Sequence, residues 1–330
     1  MKKIIAVILI VVILYYAFPI AKEYFDNTSH TGNPVTVEIP EGALSDDIFN
    51  ILKQNNLAAN RIAFKLKLKT MGAASKLRFG TFELNDGMCL KDIISELIAG
   101  GKTNNTVKFT VPEGFSVENI AQRAQNLGFC TEKEFLDALN MNYDYAFLSK
   151  IPRGNYKYKL QGFLFPSTYE FYKDAKAYDI INTMLGEFEK QYNSTGASIN
   201  DVYLNVIKAS LIERESLLDS EKPIISGVIK NRIEADMLLQ IDASVVYAVT
   251  NGIYDKNSVT YNDLKIDSVY NTYKYKCLPA GAICNPGIKA IQAAINPQNH
   301  NYYYYHTDTD KNDGSHIFTE NYNEHLNTMN

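Results

Sequence analysis

The sequence predicts an α+β protein with a single N-terminal transmembrane helix, a small α+β module and a larger, mixed α+β domain. Three observations support this fold class. The chain begins with a basic pair and an apolar stretch, a strand–turn–helix pattern then recurs, and from residue 158 polar and aromatic turn loops lie among predicted strands and helices. The predicted boundaries are 1–3 for a cytoplasmic stub, 4–21 for the transmembrane segment, 22–34 for a tether, 35–103 for the module and 104–330 for the larger domain.

The N-terminus has the pattern of a signal-anchor. Lys2 and Lys3 precede an almost uninterrupted apolar stretch, 4–21, which is about the length needed to span a bilayer. No small-x-small cleavage site follows it, and Tyr15 and Tyr16 suit a membrane–water interface. We therefore expect a retained anchor rather than a cleaved signal peptide, with the two lysines in the cytoplasm and the rest of the chain outside the cell membrane.

A strand, a glycine turn and a helix recur three times after the tether. Residues 35–42 alternate like a strand, end in a Pro-Glu-Gly turn and precede Ser45, which is a plausible helix N-cap. Residues 107–114 repeat the strand and the turn ahead of Ser116, and residues 80–97 form a shorter copy. Such a repeat favours small α+β modules, although the same punctuation also arises by coincidence.

One glutamate extends an apolar row on a predicted helix. Ile207, Leu211 and Glu215 are spaced i, i+4, i+8, so the carboxyl group lies beside apolar neighbours. Loss of water around a carboxylate raises its pKa and keeps it protonated near neutral pH, which suits a general acid for glycosidic cleavage. A second row ends at Glu213, so the pattern alone also fits a surface carboxylate.

Composition excludes some functions and limits others. The 330 residues are 46% hydrophobic and 21% charged, as in ordinary globular proteins, and the net charge of −4 gives no electrostatic footprint for nucleic acid. The chain has 23 tyrosines and no tryptophan, so tyrosine rings would have to supply the aromatic faces of a sugar-binding cleft. Cys277 and Cys284 flank a Pro/Gly turn and are either a disulfide or free thiols.

Five segments in the second half resemble one known family. From about Val35 to His325 the chain resembles the YceG-like (MltG) family of endolytic murein transglycosylases. The segments that carry the resemblance occur in the family's order and are 209–215, 239–242, 270–273, 278–287 and 316–318. The resemblance implies a LysM-like module at 35–103 and a YceG-like catalytic domain at 104–330.

The resemblance also implies the roles of individual residues. Glu215 is the expected catalytic acid and base, which first protonates the oxygen between N-acetylmuramic acid and N-acetylglucosamine and then takes the proton of the muramyl C6 hydroxyl. This hydroxyl closes a 1,6-anhydro ring, so neither water, a metal nor another cofactor is required. Glu213, His316 and Phe318 are expected to have supporting, structural roles. The expected substrate contacts are Gln240, Asp242, Tyr270, Asn271, Tyr273 and Asn285.

The implied function is cleavage of nascent glycan strands, which would terminate their elongation. The expected partners are peptidoglycan strands, the membrane that the chain crosses once, and cell-wall synthases. The chain departs from the family pattern near these sites, and the departures bear on glycan recognition rather than on Glu215. They are Gln161 for an acid, Ser167 for an aspartate, Ile241 and Ala243 for a threonine and a proline, and Ala280 for a proline.

Three alternatives remain open at this point. A muramidase would use Glu215 with Asp242 as a second carboxylate and would leave reducing muramic acid. A metal-dependent amidase or peptidase is suggested by four histidines after residue 299, although their spacing matches no metal motif. A glycan-binding scaffold would need no catalytic residue at all.

Overall fold

The chain forms two compact units that meet in sequence between Thr106 and Val107. Most of the predicted transmembrane segment lies outside the part of the chain that is described; residues 17–25 are helical. Among the described residues, no helix is both long and apolar enough to cross a bilayer. The computed structural model describes residues 15, 17–40, 42–100, 106–256 and 258–329.

The first unit is built on a two-stranded antiparallel sheet. Strand β1 (Pro34–Ile39) pairs with β2 (Gly80–Asn85), and the helices α1 (Ser45–Gln54) and α2 (Arg61–Thr70) lie between them in sequence. Helix α3 (Leu90–Ala99) follows β2. Alternate strand residues and one face of each helix form a single apolar core, which includes Val37, Ile39, Phe49, Leu52, Phe64, Phe82, Ile93 and Leu97.

The recurring strand–turn–helix pattern is present, but one of its predicted caps is wrong by one residue. Helix α1 starts at Ser45 itself, and its N-cap is Leu44, whose backbone N–H donates to the Asp47 carboxylate at 3.0 Å. Asp47 reaches back to satisfy the helix end, so no serine side chain is needed there. Ser116 does cap its helix, because its Oγ accepts the Asn119 N–H at 3.1 Å.

The second unit is mainly helical, with two small sheets. Strand β3 (Thr106–Thr110) pairs with β4 (Thr168–Tyr172), and β5 (Tyr304–Thr307) pairs antiparallel with β6 (His316–Thr319), which places Tyr305 opposite Phe318. The mixed α+β class predicted from the sequence is therefore confirmed. The elements in order are β3 (Thr106–Thr110), α4 (Val117–Asn126), α5 (Glu132–Ala138), β4 (Thr168–Tyr172), α6 (Ala177–Ser194), α7 (Val202–Glu215), α8 (Lys222–Glu234), α9 (Asp242–Val249), α10 (Ile288–Ile295), β5 (Tyr304–Thr307), β6 (His316–Thr319) and α11 (Tyr322–Thr328).

Helix α7 is the central element of the second unit. It packs against α8 and α10, and both apolar rows predicted from the sequence are buried. Polar contacts also hold it, since Ser210 Oγ accepts the Ile283 N–H at 3.0 Å and the Cys284 thiol donates to the Ser210 carbonyl at 3.3 Å. Cys284 and the exposed Cys277 are both free thiols, so the structure contains no bridge between them.

Gly162 allows a loop to approach α7 closely. Its φ is +93°, and an added Cβ would lie 2.5 Å from Val206 Cγ1 and 2.7 Å from Ala282 Cβ. Both the backbone conformation and the lack of space therefore require glycine at this position.

We predict that Gly162→Ala destabilises the protein by about 2–5 kcal/mol, because it adds left-handed backbone strain to an overlap in a packed core. The matched control is Gly196→Ala, since Gly196 has a φ of +72° and open space around the added Cβ. That variant should lose only about 1–2 kcal/mol. Urea unfolding followed by circular dichroism measures both, and equal losses would contradict the packing argument.

Candidate active site

Glu215 is the last residue of the buried helix α7. The residues one and two turns before it, Ile207 and Leu211, are buried, while Glu215 itself is partly exposed. The Ser216 N–H closes the helix on the Ile212 carbonyl at 3.1 Å. The carboxyl group therefore lies at the rim of the core rather than on a free surface.

Burial raises the pKa of the Glu215 carboxyl above its ordinary value, and the negative charge of Asp242 acts in the same direction. A hydrogen bond from Tyr305, the nearby His316 ring and the backbone N–H of Ala243 act in the opposite direction, but burial prevails. The raised pKa predicted from the apolar row is thus confirmed.

Tyr305 makes the most direct contact with this carboxyl group. Its hydroxyl donates to Glu215 Oε2 at 2.7 Å, and its ring meets the His316 ring edge-on at 5.5 Å. Burial and the neighbouring Glu215 raise the pKa of the Tyr305 phenol well above its usual range, so the phenol remains a hydrogen-bond donor. The sequence interpretation assigned no role to Tyr305. The only available signal was the run of tyrosines on a strand.

Asp242 and Tyr273 form a second polar pair at the site. Asp242 is the exposed first residue of α9, and its Oδ1 accepts the Tyr273 hydroxyl at 2.5 Å. The preceding Gln240 is exposed with a φ of +51°, and its N–H donates to the Thr272 carbonyl at 3.1 Å. Thr272 Oγ1 also accepts the Ile241 N–H at 2.9 Å, so the segment around Tyr273 fixes the start of α9.

Two buried charged residues hold the elements that surround Glu215, and the sequence interpretation missed both. Arg232 donates to the Tyr303 carbonyl at 2.6 Å and to the Leu239 carbonyl at 2.7 Å, which ties β5 to the segment before α9. Glu221 accepts the His316 N–H at 2.9 Å, and its second oxygen lies 2.6 Å from His316 Nδ1. His316 is thereby fixed next to Tyr305.

Phe318 lies on the same strand as His316 and packs close to the site. The Phe318 ring is 5.9 Å from the ring of Tyr305 and 6.1 Å from that of His316. Both residues therefore surround the phenol that contacts Glu215. A supporting role for His316 and Phe318 remains a prediction.

The remaining predicted contacts are buried and bond to the protein itself. Asn285 Oδ1 accepts the N–H groups of Gly162 and Leu164, each at 2.9 Å, and its Nδ2 donates to the Phe115 carbonyl at 2.9 Å. Three of the four hydrogen bonds that this amide can make are thus directed at two backbone segments, one at 162–164 and one at Phe115. In this conformation Asn285 holds the loops that flank α7.

Asn271 and Tyr270 have the same internal character. Asn271 Nδ2 donates to the Leu264 and Ile266 carbonyls, each at 2.9 Å. Its Oδ1 accepts the Tyr273 N–H at 3.0 Å. The Tyr270 hydroxyl accepts the Lys157 N–H at 2.9 Å. Of the six predicted substrate contacts, Gln240, Asp242 and Tyr273 are the ones with accessible surface, and their binding role remains a prediction.

Glu213 has different surroundings from Glu215. Its side chain is buried, with Oε1 3.2 Å from Lys222 Nζ and Oε2 accepting the Gly287 N–H at 2.9 Å. Lys222 Nζ also pairs with Asp219 at 2.8 Å. A cleft of about 640 Å³ at the C-terminal end of α7 is lined by Glu213, Lys222 and Asp219 together with Glu215. Glu213 therefore connects α7 to the starts of α8 and α10.

The histidines near the C-terminus are dispersed over different contacts. His300 Nε2 lies 2.9 Å from the Ile224 carbonyl, and His306 Nε2 lies 3.0 Å from Thr328 Oγ1. Nowhere among the described residues are three His, Cys, Asp or Glu side chains grouped so that they could hold a metal ion.

The comparisons with known proteins agree with this architecture. The model of the YceG-like family matches residues 37–330. The chain belongs to the YceG-like family. This confirms the family predicted from the five sequence segments.

Similar proteins are known from several bacteria. This YceG-like chain is 32% identical over 305 residues to the endolytic murein transglycosylase of Bacillus subtilis (strain 168), across 88% of this chain and 82% of that protein. It is 27% identical over 325 residues to the endolytic murein transglycosylase of Streptococcus pneumoniae serotype 2 (strain D39), across 88% of this chain and 57% of that longer protein. A crystal structure of a yceG-like protein from Listeria monocytogenes superposes with a TM-score of 0.57 at 28% identity, covering 90% of this chain and 99% of the other.

We predict that two substitutions shift the pKa of Glu215 in opposite directions. Tyr305→Phe removes a donor that stabilises the carboxylate, so the pKa should rise further. Asp242→Asn removes a nearby negative charge, so the pKa should fall. NMR titration of carbon-13-labelled glutamate in the full chain measures both. Tyr304→Phe on the same strand is the control, and shifts of the same sign in the two variants would contradict the geometry.

Proposed function

We propose that this chain is an endolytic murein transglycosylase in which Glu215 is the lone acid and base. It would cleave the bond between N-acetylmuramic acid and N-acetylglucosamine in nascent glycan strands and leave 1,6-anhydro ends. The observation that carries the proposal is the desolvated Glu215 carboxyl, bonded to the neutral Tyr305 hydroxyl. The two relatives named above as endolytic murein transglycosylases support the same activity.

In the first step the protonated Glu215 donates its proton to the glycosidic oxygen while the bond from that oxygen to muramyl C1 breaks. The pKa raised by burial keeps this proton available near neutral pH. As the carboxylate forms, the Tyr305 hydroxyl stabilises it without moving, because it already donates to Oε2, and the Ala243 N–H favours the charged form as well.

In the second step the Glu215 carboxylate takes the proton of the muramyl C6 hydroxyl, whose oxygen bonds to C1. The ring closure consumes no water and returns Glu215 to its protonated form. The exposed Asp242 carboxylate would stabilise positive charge that develops on the sugar, and the Tyr273 hydroxyl would hold it in place.

A hydrolytic muramidase is the second candidate, and one observation favours it. Asp242 lies near enough to Glu215 for its charge to affect the pKa of that carboxyl, so two acidic groups are available at the site. One oxygen of Asp242 is already bonded to Tyr273, which favours an electrostatic role over attack on the sugar. The chemical nature of the product distinguishes the two reactions.

We also propose a position for the chain in the cell and a role for its first unit. We infer a single membrane span at 4–21 with the second unit on the outer face of the cell membrane, where cell-wall synthases supply nascent strands. The first unit has an apolar core of its own, which supports a separate LysM-like module that positions the substrate.

We predict that Glu215→Gln lowers the rate of strand cleavage by about 10²–10⁴-fold, because the amide cannot release a proton. The fold should persist, since the amide oxygen can still accept from Tyr305. The assay is mass spectrometry of sacculi digested by the full chain in detergent. Wild-type fragments should be lighter by one water than reducing muramic acid ends, and reducing ends would show the hydrolytic reaction instead.

The matched control is Glu213→Gln, which should lower the stability of the fold but leave the chemical nature of the product unchanged. It leaves the buried Lys222 with only Asp219 as a partner, so the free energy of unfolding should fall by about 3 kcal/mol. The residual activity should still give anhydro products. If Glu213→Gln abolishes cleavage without loss of stability, the assignment of the acid to Glu215 is wrong.

For the topology, we predict that protease added to intact, wall-stripped cells degrades the bulk of the protein and leaves a small membrane fragment. The reason is the basic-then-apolar N-terminus, which orients Lys2 and Lys3 toward the cytoplasm. Immunoblots with tags at each end measure this. Full protection, or a mature N-terminus near Lys22, would contradict the anchor.

A further inference from the structure

A polar groove of about 640 Å³ lies on the second unit, separate from the contacts of Glu215 described above. It runs between the end of α6, the start of α8 and the outward face of α10. Lys289, Gln292 and Asn296 line it from α10 and the residue that ends this helix, and all three are exposed. Asp219 and Ser220 line the opposite side.

The floor of the groove is rigid, and its unpaired charge is positive. The inward face of α10, including Ala290 and Ile291, is fully buried, and the helix packs on α7. Lys289 makes no hydrogen bond or ion pair within the part of the chain that the structure describes. Asp219 pairs with Lys222 at 2.8 Å, and Glu213 shares this ammonium at 3.2 Å, so Lys289 is the cation of the groove that has no carboxylate partner among the described residues. A cation and two amides are therefore available to a ligand.

The groove adjoins the cleft that contains Glu215, and one residue lines both. Asp219 lines both, with the groove on one side and the cleft at the end of α7 on the other. A chemical group attached to a sugar bound beside Glu215 could therefore extend into the groove without leaving the protein surface.

We propose that this groove binds the peptide substituent of the murein strand through a peptide carboxylate at Lys289, an inference that rests on the proposed function. In murein the peptide is attached to muramic acid, the sugar whose C1 bond is cleaved, and it carries free carboxylates. Lys289 supplies the matching cation, while the amides of Gln292 and Asn296 each offer a donor and an acceptor to the peptide backbone.

The lining favours a peptide over a second stretch of sugars. None of the described side chains along the groove is aromatic. Sugars usually stack on aromatic faces, whereas a peptide is held by paired donors and acceptors and by charge. The ligand class is therefore an anionic peptide attached to the glycan.

The test is a binding assay on the full chain in detergent with Glu215→Gln, so that the substrate is not consumed. The probes are uncross-linked murein strands whose peptides carry either free or chemically amidated carboxylates. Lys289→Glu should raise the Kd for free-carboxylate strands by about 5–20-fold, through a lost attraction and a new repulsion. The Kd for amidated strands should change by less than about twofold. Lys150→Glu, at an exposed lysine outside both the groove and the cleft, is the control and should change neither.

Two results would overturn the proposal. An unchanged Kd for both probes would mean that nothing anionic binds at Lys289. An equal rise in Kd for the free-carboxylate and the amidated strands would mean that the groove contacts the glycan, or that the substitution disturbs α10. Thermal unfolding of each variant separates these last two explanations. Failure of the proposed function would be seen separately, as wild-type digests without 1,6-anhydro ends, because the binding assay does not depend on cleavage.

Discussion

The burial of α7 is the constraint on which the rest of the site depends. A helix that packs on several sides has little freedom to rotate or slide, so its last side chain has a defined position. Glu215 is held at that end while β5 brings the Tyr305 hydroxyl and the start of α9 brings the Ala243 N–H. The acid thus gains hydrogen-bond donors without gaining a paired cation, and a proton remains the least costly way to neutralise it.

Two glutamates on the same helical turn illustrate how surroundings decide function. Glu213 has the Lys222 ammonium and the Gly287 N–H as partners, so it can hold three helices together. Glu215 has the Tyr305 phenol and the Ala243 amide, which orient a carboxyl group but do not balance a full charge. Sequence spacing alone separates the directions of the two side chains but not their partners, because those come from segments distant in the chain.

The sequence predicted those features of the site that depend on residues close together in the chain. The i, i+4, i+8 spacing predicted that Ile207 and Leu211 are buried and that the pKa of Glu215 is raised, because helical periodicity alone decides which face meets the core. Tyr305 was missed because its contact with Glu215 spans 90 residues and depends on how β5 is placed. Asn285 was read as a sugar contact because an amide offers the same groups to a ligand and to the backbone. Only the folded structure shows that this amide bonds to the backbone.

The Asn285 amide also has a consequence for how the chain acquires its structure. Its hydrogen bonds connect positions separated by 121, 123 and 170 residues, so none of them can form until the chain has been made well past α9. Contacts this distant slow folding, because long loops must close before the bonds stabilise them. During synthesis, the backbone groups around Phe115 and Gly162 therefore stay bonded to water until Asn285 has been made, and the loops that flank α7 acquire their native contacts late in folding.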